Sequence, residues 1–145
     1  MSEPFVDTDV LIRLLTGDDP QKQAEARVLF KKVEARELTL RAPETVIADA
    51  VFVLSSRQLY HLPREQIRDL LTPILRLPDF KIRHRRTVMR ALDIYATTNL
   101  DFGDAFIVAS MQAAGSNLLY SYDRDFERIQ GITRRSPGSI SSERK

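Results

Sequence analysis

The sequence predicts an α/β fold, with a parallel sheet covered by helices on both faces. Three observations carry this. Apolar runs of strand length recur at Phe5-Val6, residues 38–42, Phe80–Ile82 and Leu118–Tyr120. Segments with helical apolar periodicity separate them. Proline, glycine and aspartate punctuate the junctions. Short strands alternating with helices build parallel sheets buried on both sides, and such sheets form sites beyond the carboxyl ends of their strands.

The elements follow in order. Pro4-Phe5-Val6-Asp7 is too short for a helix and suits a buried strand. Residues 10–15 are helical and stop at Thr16-Gly17-Asp18-Asp19-Pro20. Asp18 or Asp19 then caps a helix with Pro20 near its first position. Ala26, Leu29, Phe30 and Val33 share one face of it. Leu38-Thr39-Leu40-Arg41-Ala42 is the second strand. Pro43 opens a helix to about Arg57, with Glu44 where the helix dipole favours an acid. Leu59-Tyr60-His61-Leu62 connects to a helix that Pro63 begins and Pro78-Asp79 closes. Phe80–Ile82 is the third strand. Arg85–Thr97 is helical with Val88, Leu92 and Tyr95 inward, and Phe102–Ala114 is helical up to Gly115. Leu118–Tyr120 is the fourth strand and Ile132-Thr133 a fifth.

At 145 residues the chain is long enough to bury a core as one domain, residues 1–136. Residues 137–145 read as a disordered tail. The 43% hydrophobic and 29% charged content excludes a disordered chain. No apolar run approaches the ~20 residues that cross a bilayer, so no membrane is expected. The opening MSEPFVDTD has no secretory pattern and there is no cysteine, which together fit a reducing cytoplasm.

Four apolar runs each carry an aspartate where a core residue is expected: FVDTDVLI, VIADAVFVL, DFGDAFIVA and LLYSYDRDF. An isolated buried carboxylate is costly without a partner or a metal, so the four suggest one assembled acidic site. Each has an ordinary alternative. Asp7 or Thr8 can cap the next helix, and Asp9 is a cap or an outer group. Asp49 sits in a helix interior, where aspartate is unfavourable, with Thr45 and Val53 at i±4 and no start to cap. Asp101 reads as a cap, with Asp104 in the first turn on the face of Ile107, Val108 and Met111. Asp123 and Asp125 lie where turns favour aspartate. Clustered oxygen donors suit Mg²⁺ or Mn²⁺, ions that polarise phosphoryl oxygens and activate water. His61 and His84 stand in polar, loop-like contexts, and no phosphate-binding glycine loop or Ser/His/Asp arrangement is evident.

The net charge is only +2, but Lys81-Ile82-Arg83-His84-Arg85-Arg86, with Arg90 one turn on, concentrates positive charge. A solvated helix start explains such a run. Beside an acidic site, Arg83, Arg85, Arg86 and Arg90 become candidates for phosphate contact.

The motifs resemble those of PIN-domain ribonucleases, and within them the VapC-type toxins of bacterial toxin–antitoxin systems. The resemblance runs from about Phe5 to Gly131. It rests on Asp7-Thr8-Asp9-Val10-Leu11, on Asp49 before Ala50-Val51-Phe52-Val53-Leu54, on Phe102-Gly103-Asp104-Ala105-Phe106-Ile107-Val108-Ala109, and on Ser121-Tyr122-Asp123-Arg124-Asp125-Phe126. It implies a three-layer α/β/α sandwich with four to five short strands. It also implies a quartet of catalytic, metal-binding residues, Asp7, Asp49, Asp104 and Asp123, holding one or two Mg²⁺ or Mn²⁺ ions. Ser121 would support Asp123 or a metal-bound water, with Asp9 and Asp125 in outer roles and Arg83, Arg85, Arg86 and Arg90 as candidate RNA-backbone contacts. The implied activity is hydrolysis of RNA phosphodiesters, and the implied partners are a cognate antitoxin and a second copy of the chain. Val10, Leu11, Leu14 and Leu15 suit an antitoxin groove or, more simply, the core. Two departures stand out: Asp9 replaces the usual Asn, and Asp49 is one methylene shorter than the usual Glu.

Two other readings compete. Phe5-Val6-Asp7-Thr8-Asp9 also resembles the nucleophile motif of haloacid-dehalogenase-like phosphatases, but Leu11 departs from that motif and Asp49 gets no role in it. A PIN-fold module that binds RNA or protein without cutting is the non-enzymatic alternative.

Overall fold

A computed structural model describes residues 2–140. Helix α1 (Thr8–Leu15) starts where Asp7 caps it, and Asp19 caps α2 (Pro20–Glu34) through the Lys22 N–H at 3.1 Å. Strand β1 (Leu40–Ala42) leads through Pro43 into α3 (Glu44–Ser55). Pro63 precedes α4 (Arg64–Leu75), and strand β2 (Phe80–Ile82) precedes α5 (Arg85–Thr97). Helix α6 (Phe102–Ala114) ends on Gly115, whose φ of 72° is the left-handed conformation that terminates helices. Strand β3 (Leu118–Tyr120), a 3₁₀ turn (Arg124–Arg128) and strand β4 (Thr133–Arg135) complete the chain described. Residues 137–140 of the expected tail continue from a turn at Ser136, and 141–145 lie outside the described residues.

The α/β class holds and every observed pairing is parallel, but the single sheet expected from the sequence is divided. β1 pairs with β2 in the register Leu40 to Phe80 and Ala42 to Ile82, while β3 pairs with β4. The predicted first strand is reduced to one parallel bridge, Phe5 to Arg41. The local chemistry explains its brevity. Pro4 has no N–H, and Asp7 already caps α1, so only Phe5 and Val6 remain extended between them. β3 departs from expectation too. Leu118 and Tyr120 are exposed, so this strand does not form the buried centre of a sheet.

The core lies between the helices and the β1–β2 pair. Phe80, Leu92, Val88, Ile67, Leu71 and Ile47 are fully buried in it. Phe30 meets Phe80 edge-on at 5.8 Å, and Tyr95 meets Phe102 at 6.4 Å. The second contact packs α5 against the start of α6 and so fixes the helix that carries Asp104. Among the described residues no helix is long and apolar enough to cross a membrane.

Candidate metal-binding acid cluster

Three aspartates singled out from sequence cap helices. The Asp7 carboxylate accepts from the Thr8 N–H at 2.7 Å. Asp101 caps α6 by accepting from the Asp104 N–H at 2.8 Å. Asp123 caps the 3₁₀ turn by accepting from the Asp125 N–H at 2.9 Å. Its own N–H donates to Ser121 Oγ at 3.0 Å. A cap satisfies part of a carboxylate's hydrogen-bonding capacity and leaves lone pairs for another ligand.

Asp104 differs. It is half-buried, and its carboxyl group makes no hydrogen bond or ion pair among the described residues. Burial raises its pKa above the usual carboxylate value, and the charges of Asp101, Asp123 and Asp125 raise it further. Asp18 shows the opposite condition. A hydrogen bond from Tyr60 at 2.8 Å and the nearby Thr16 hydroxyl and Arg13 lower its pKa, as befits a structural acid. The α6 start and the β3 exit therefore bring the charges of Asp101, Asp123 and Asp125 to bear on Asp104, which is the least satisfied of them.

Asp49 contradicts one expectation from the sequence. Like Asp7 and Asp123 it is exposed, not buried, and on α3 this is because Val46, Ile47, Ala50, Val51 and Leu54 take the inward face. It too has no hydrogen bond or ion pair among the described residues. Asp9 lies at a small cavity between α1 and α2, with Arg13 and Lys22 on its walls. Asp7 and Asp49 are not among the charges that shift Asp104. Among the described residues no three His, Asp or Glu side chains come close enough to hold one ion together. The donors around Asp104 fit a hard divalent cation in kind, being all oxygen with uncompensated negative charge.

The basic run divides by role. Arg85 is structural, donating to the Phe80 carbonyl at 2.6 Å. Arg90 donates to Gln112 at 3.0 Å and so ties α5 to α6. Arg83 and Arg86 are exposed and make no hydrogen bond or ion pair among the described residues. Because Phe5, Arg41 and Lys81 lie side by side in parallel register, Asp7, Pro43 and Arg83 leave the strands at the same edge. His84, held at φ 55°, places Nδ1 2.7 Å from Glu44 at that edge.

Two arginines that sequence reasoning missed position the acids. Arg64 Nη1 donates to the carbonyls of Tyr95 at 2.9 Å, Thr98 at 3.2 Å and Leu100 at 2.5 Å, and its guanidinium lies 4.3 Å from the Tyr95 ring centre. It fastens the α5–α6 connection immediately before Asp101. Arg134 Nη1 donates to the Ser121 carbonyl at 2.7 Å, while Nη2 donates to Glu127 at 2.9 Å, which braces the turn carrying Asp123. A signal for Arg64 existed. A cation in the first turn of a helix opposes the dipole, so another contact must hold it there.

A family model described as PIN domain matches residues 5–132. The chain belongs to the PIN domain family. Among curated proteins none matches it. PIN domains are generally nucleases that act on nucleic acid and use divalent metal ions, in keeping with the carboxylates gathered around Asp104. Nothing supports the haloacid-dehalogenase-like alternative. In this PIN domain Asp104 and Asp123 are the two expected ligands that lie within each other's field.

Proposed function

We propose that this PIN domain is a Mg²⁺- or Mn²⁺-dependent endoribonuclease, the toxin of a toxin–antitoxin pair acting in the cytoplasm. One observation carries the catalytic part. Asp104 is half-buried and unpaired among the described residues, and burial first, then three neighbouring carboxylates, raise its pKa. Such a group is best satisfied by a cation. Asp104 and Asp123 would hold it, with Asp7 and Asp49 as the further ligands that the motif resemblance supplies. A divalent ion bound there would neutralise the acids and polarise a phosphoryl oxygen for attack by water.

The protein's own groups have separate tasks. Asp101 fixes the first turn of α6 and so the direction of Asp104. Ser121 and Arg134 fix the turn that carries Asp123. Arg83 and Arg86, free of internal partners among the described residues, offer charge to the RNA backbone. The apolar groove between α3 and α6, 550 Å³ and walled by Ala48, Phe106, Ile107 and Met111, is the surface we assign to a second copy of the chain. The antitoxin assignment rests on the motif resemblance.

The deciding experiment is cleavage of structured RNA by the purified protein, with Mn²⁺ and with EDTA. Cleavage that needs Mn²⁺ and is lost in Asp7→Asn and Asp104→Asn supports the reading. Cleavage that survives both substitutions removes the site assignment. Light scattering on an Ile107→Glu variant tests the dimer, which that charge should split.

A further inference from the structure

We propose that the cleft between the α3–α4 connection and the start of α6 is a binding subsite for a single-stranded RNA nucleotide flanking the cut. Phe52 is its stacking platform, and Arg57 and His61 are its phosphate contacts. The proposal rests on the nuclease reading above and deepens it.

The cleft encloses 690 Å³, and its walls include Phe52, Arg57, His61, Asp101, Phe102 and Gly103. One wall is prearranged. After α3 the chain folds back on itself, with Leu59 and His61 N–H groups donating to the Ser56 carbonyl at 3.1 and 2.9 Å. Leu62 N–H donates to the Leu54 carbonyl at 2.9 Å. His61 takes a positive φ of 46°, an uncommon conformation for a residue with a Cβ. This tight return sets Arg57 and His61 at the cleft that Phe52 also lines.

All three side chains are unengaged in a way that the rest of the cleft is not. Phe52 is 73% exposed, although its neighbours Val51 and Leu54 are buried. Arg57 and His61 are exposed, and their side chains make no hydrogen bond or ion pair among the described residues. Arg64, at the back of the cleft, is by contrast fully occupied with carbonyls. An exposed aromatic ring beside an unpaired guanidinium and an unpaired imidazole is a combination that suits single-stranded nucleic acid: the ring stacks a base and the polar donors follow the backbone.

The position completes the argument. The lining also contains Asp101, which caps α6 and accepts from the Asp104 N–H. The cleft therefore reaches Gly103, the residue before Asp104 and about 1.5 Å from it along the helix axis. A strand with its scissile phosphate at the acids passes a neighbouring nucleotide into the cleft. Positive charge at its far end and negative charge at its near end fit a polyanion whose cut phosphate meets a cation.

The test measures RNA binding apart from cleavage. A fluorescein-labelled 12-nucleotide single-stranded RNA is titrated in EDTA with the full chain and with Phe52→Ala, Phe52→Trp, Arg57→Ala, His61→Asn and, as a charge-loss control on α2, Lys31→Ala. We expect Phe52→Ala to weaken binding about tenfold and Phe52→Trp to preserve it. Arg57→Ala should weaken binding and reduce the salt slope by about 0.7. Lys31→Ala should match the unsubstituted protein. With Mn²⁺, Phe52→Ala should raise KM for RNA and leave kcat unchanged. If the protein cleaves RNA but Phe52→Ala and Arg57→Ala bind and cleave normally, the cleft proposal fails and the nuclease reading stands. If RNA binds with the expected dependence on Phe52 but is never cut, the cleft stands and the nuclease reading fails. Absence of RNA binding overturns the cleft proposal. So does a Phe52→Ala variant that loses only self-association by light scattering, which would make the cleft a subunit contact.

Discussion

Replacing Arg64 with alanine should loosen the site from behind. Its Nη1 carries two hydrogens but lies within reach of three carbonyls, so two full hydrogen bonds are shared among Tyr95, Thr98 and Leu100. Charge-assisted bonds contribute about 1.5–3 kcal/mol each, and the lower figure applies where water at the cleft can replace the donor. The guanidinium over the Tyr95 ring adds about 0.5–1 kcal/mol. Two bonds at the lower figure and the ring contact give a loss of about 3.5–4 kcal/mol, within the ~5–15 kcal/mol of a typical domain. For a chain of this length each kcal/mol moves the midpoint by about 3–4 °C, so Tm should fall by about 10–16 °C. Arg64→Lys should recover less than half of the loss, because the shorter side chain does not carry its nitrogen as far as Nη1 and has no guanidinium plane to lie on the Tyr95 ring. Thermal denaturation gives the midpoint. Hydrogen exchange should show faster exchange at residues 98–104, while β1 and β2 stay protected. A midpoint within about 2 °C of the unsubstituted protein, or unchanged exchange at 98–104, would refute the clamp.

Two further outcomes test the acids directly. The Asp104 pKa is raised in the fold, so the fold favours its protonated form and loses that stability as pH rises through the folded value. Asp104→Asn should therefore be more stable than the parent at pH 7, and the two urea midpoints should converge below the ordinary 3.8; a less stable Asn variant at pH 7 would contradict the field described for Asp104. Asp49→Ala should leave stability unchanged or raise it by about 0.5 kcal/mol, since alanine is the better helix former and no partner is lost, while RNA cleavage falls sharply. A loss above about 1 kcal/mol would reveal a structural role for Asp49.

The helix ends were legible because their chemistry is local. Asp19-Pro20, Pro43-Glu44, Pro63 and Gly115 each act within one turn of themselves, and α5, α6, β2 and β3 begin and end where the sequence predicts. The sheet was less legible. Pairing depends on partners distant in sequence, and three-residue strands carry too little periodicity to choose them. Asp49 shows the same limit in the site. Its type and helix position mark it as unusual, yet periodicity around an apolar helix did not reveal that it faces outward.

The sequence by itself determined the α/β class, the helix caps and the identity of the unusual acids, because these follow from residue type and short spacing. Only the tertiary structure decided which acids share a field. Asp101, Asp123 and Asp125 act on Asp104 because Tyr95 packs on Phe102, Arg64 holds the loop before α6, and Arg134 holds the turn after β3. Electrostatic coupling depends on distance through space, and these arginine contacts, made across 13 to 36 positions of sequence, set that distance.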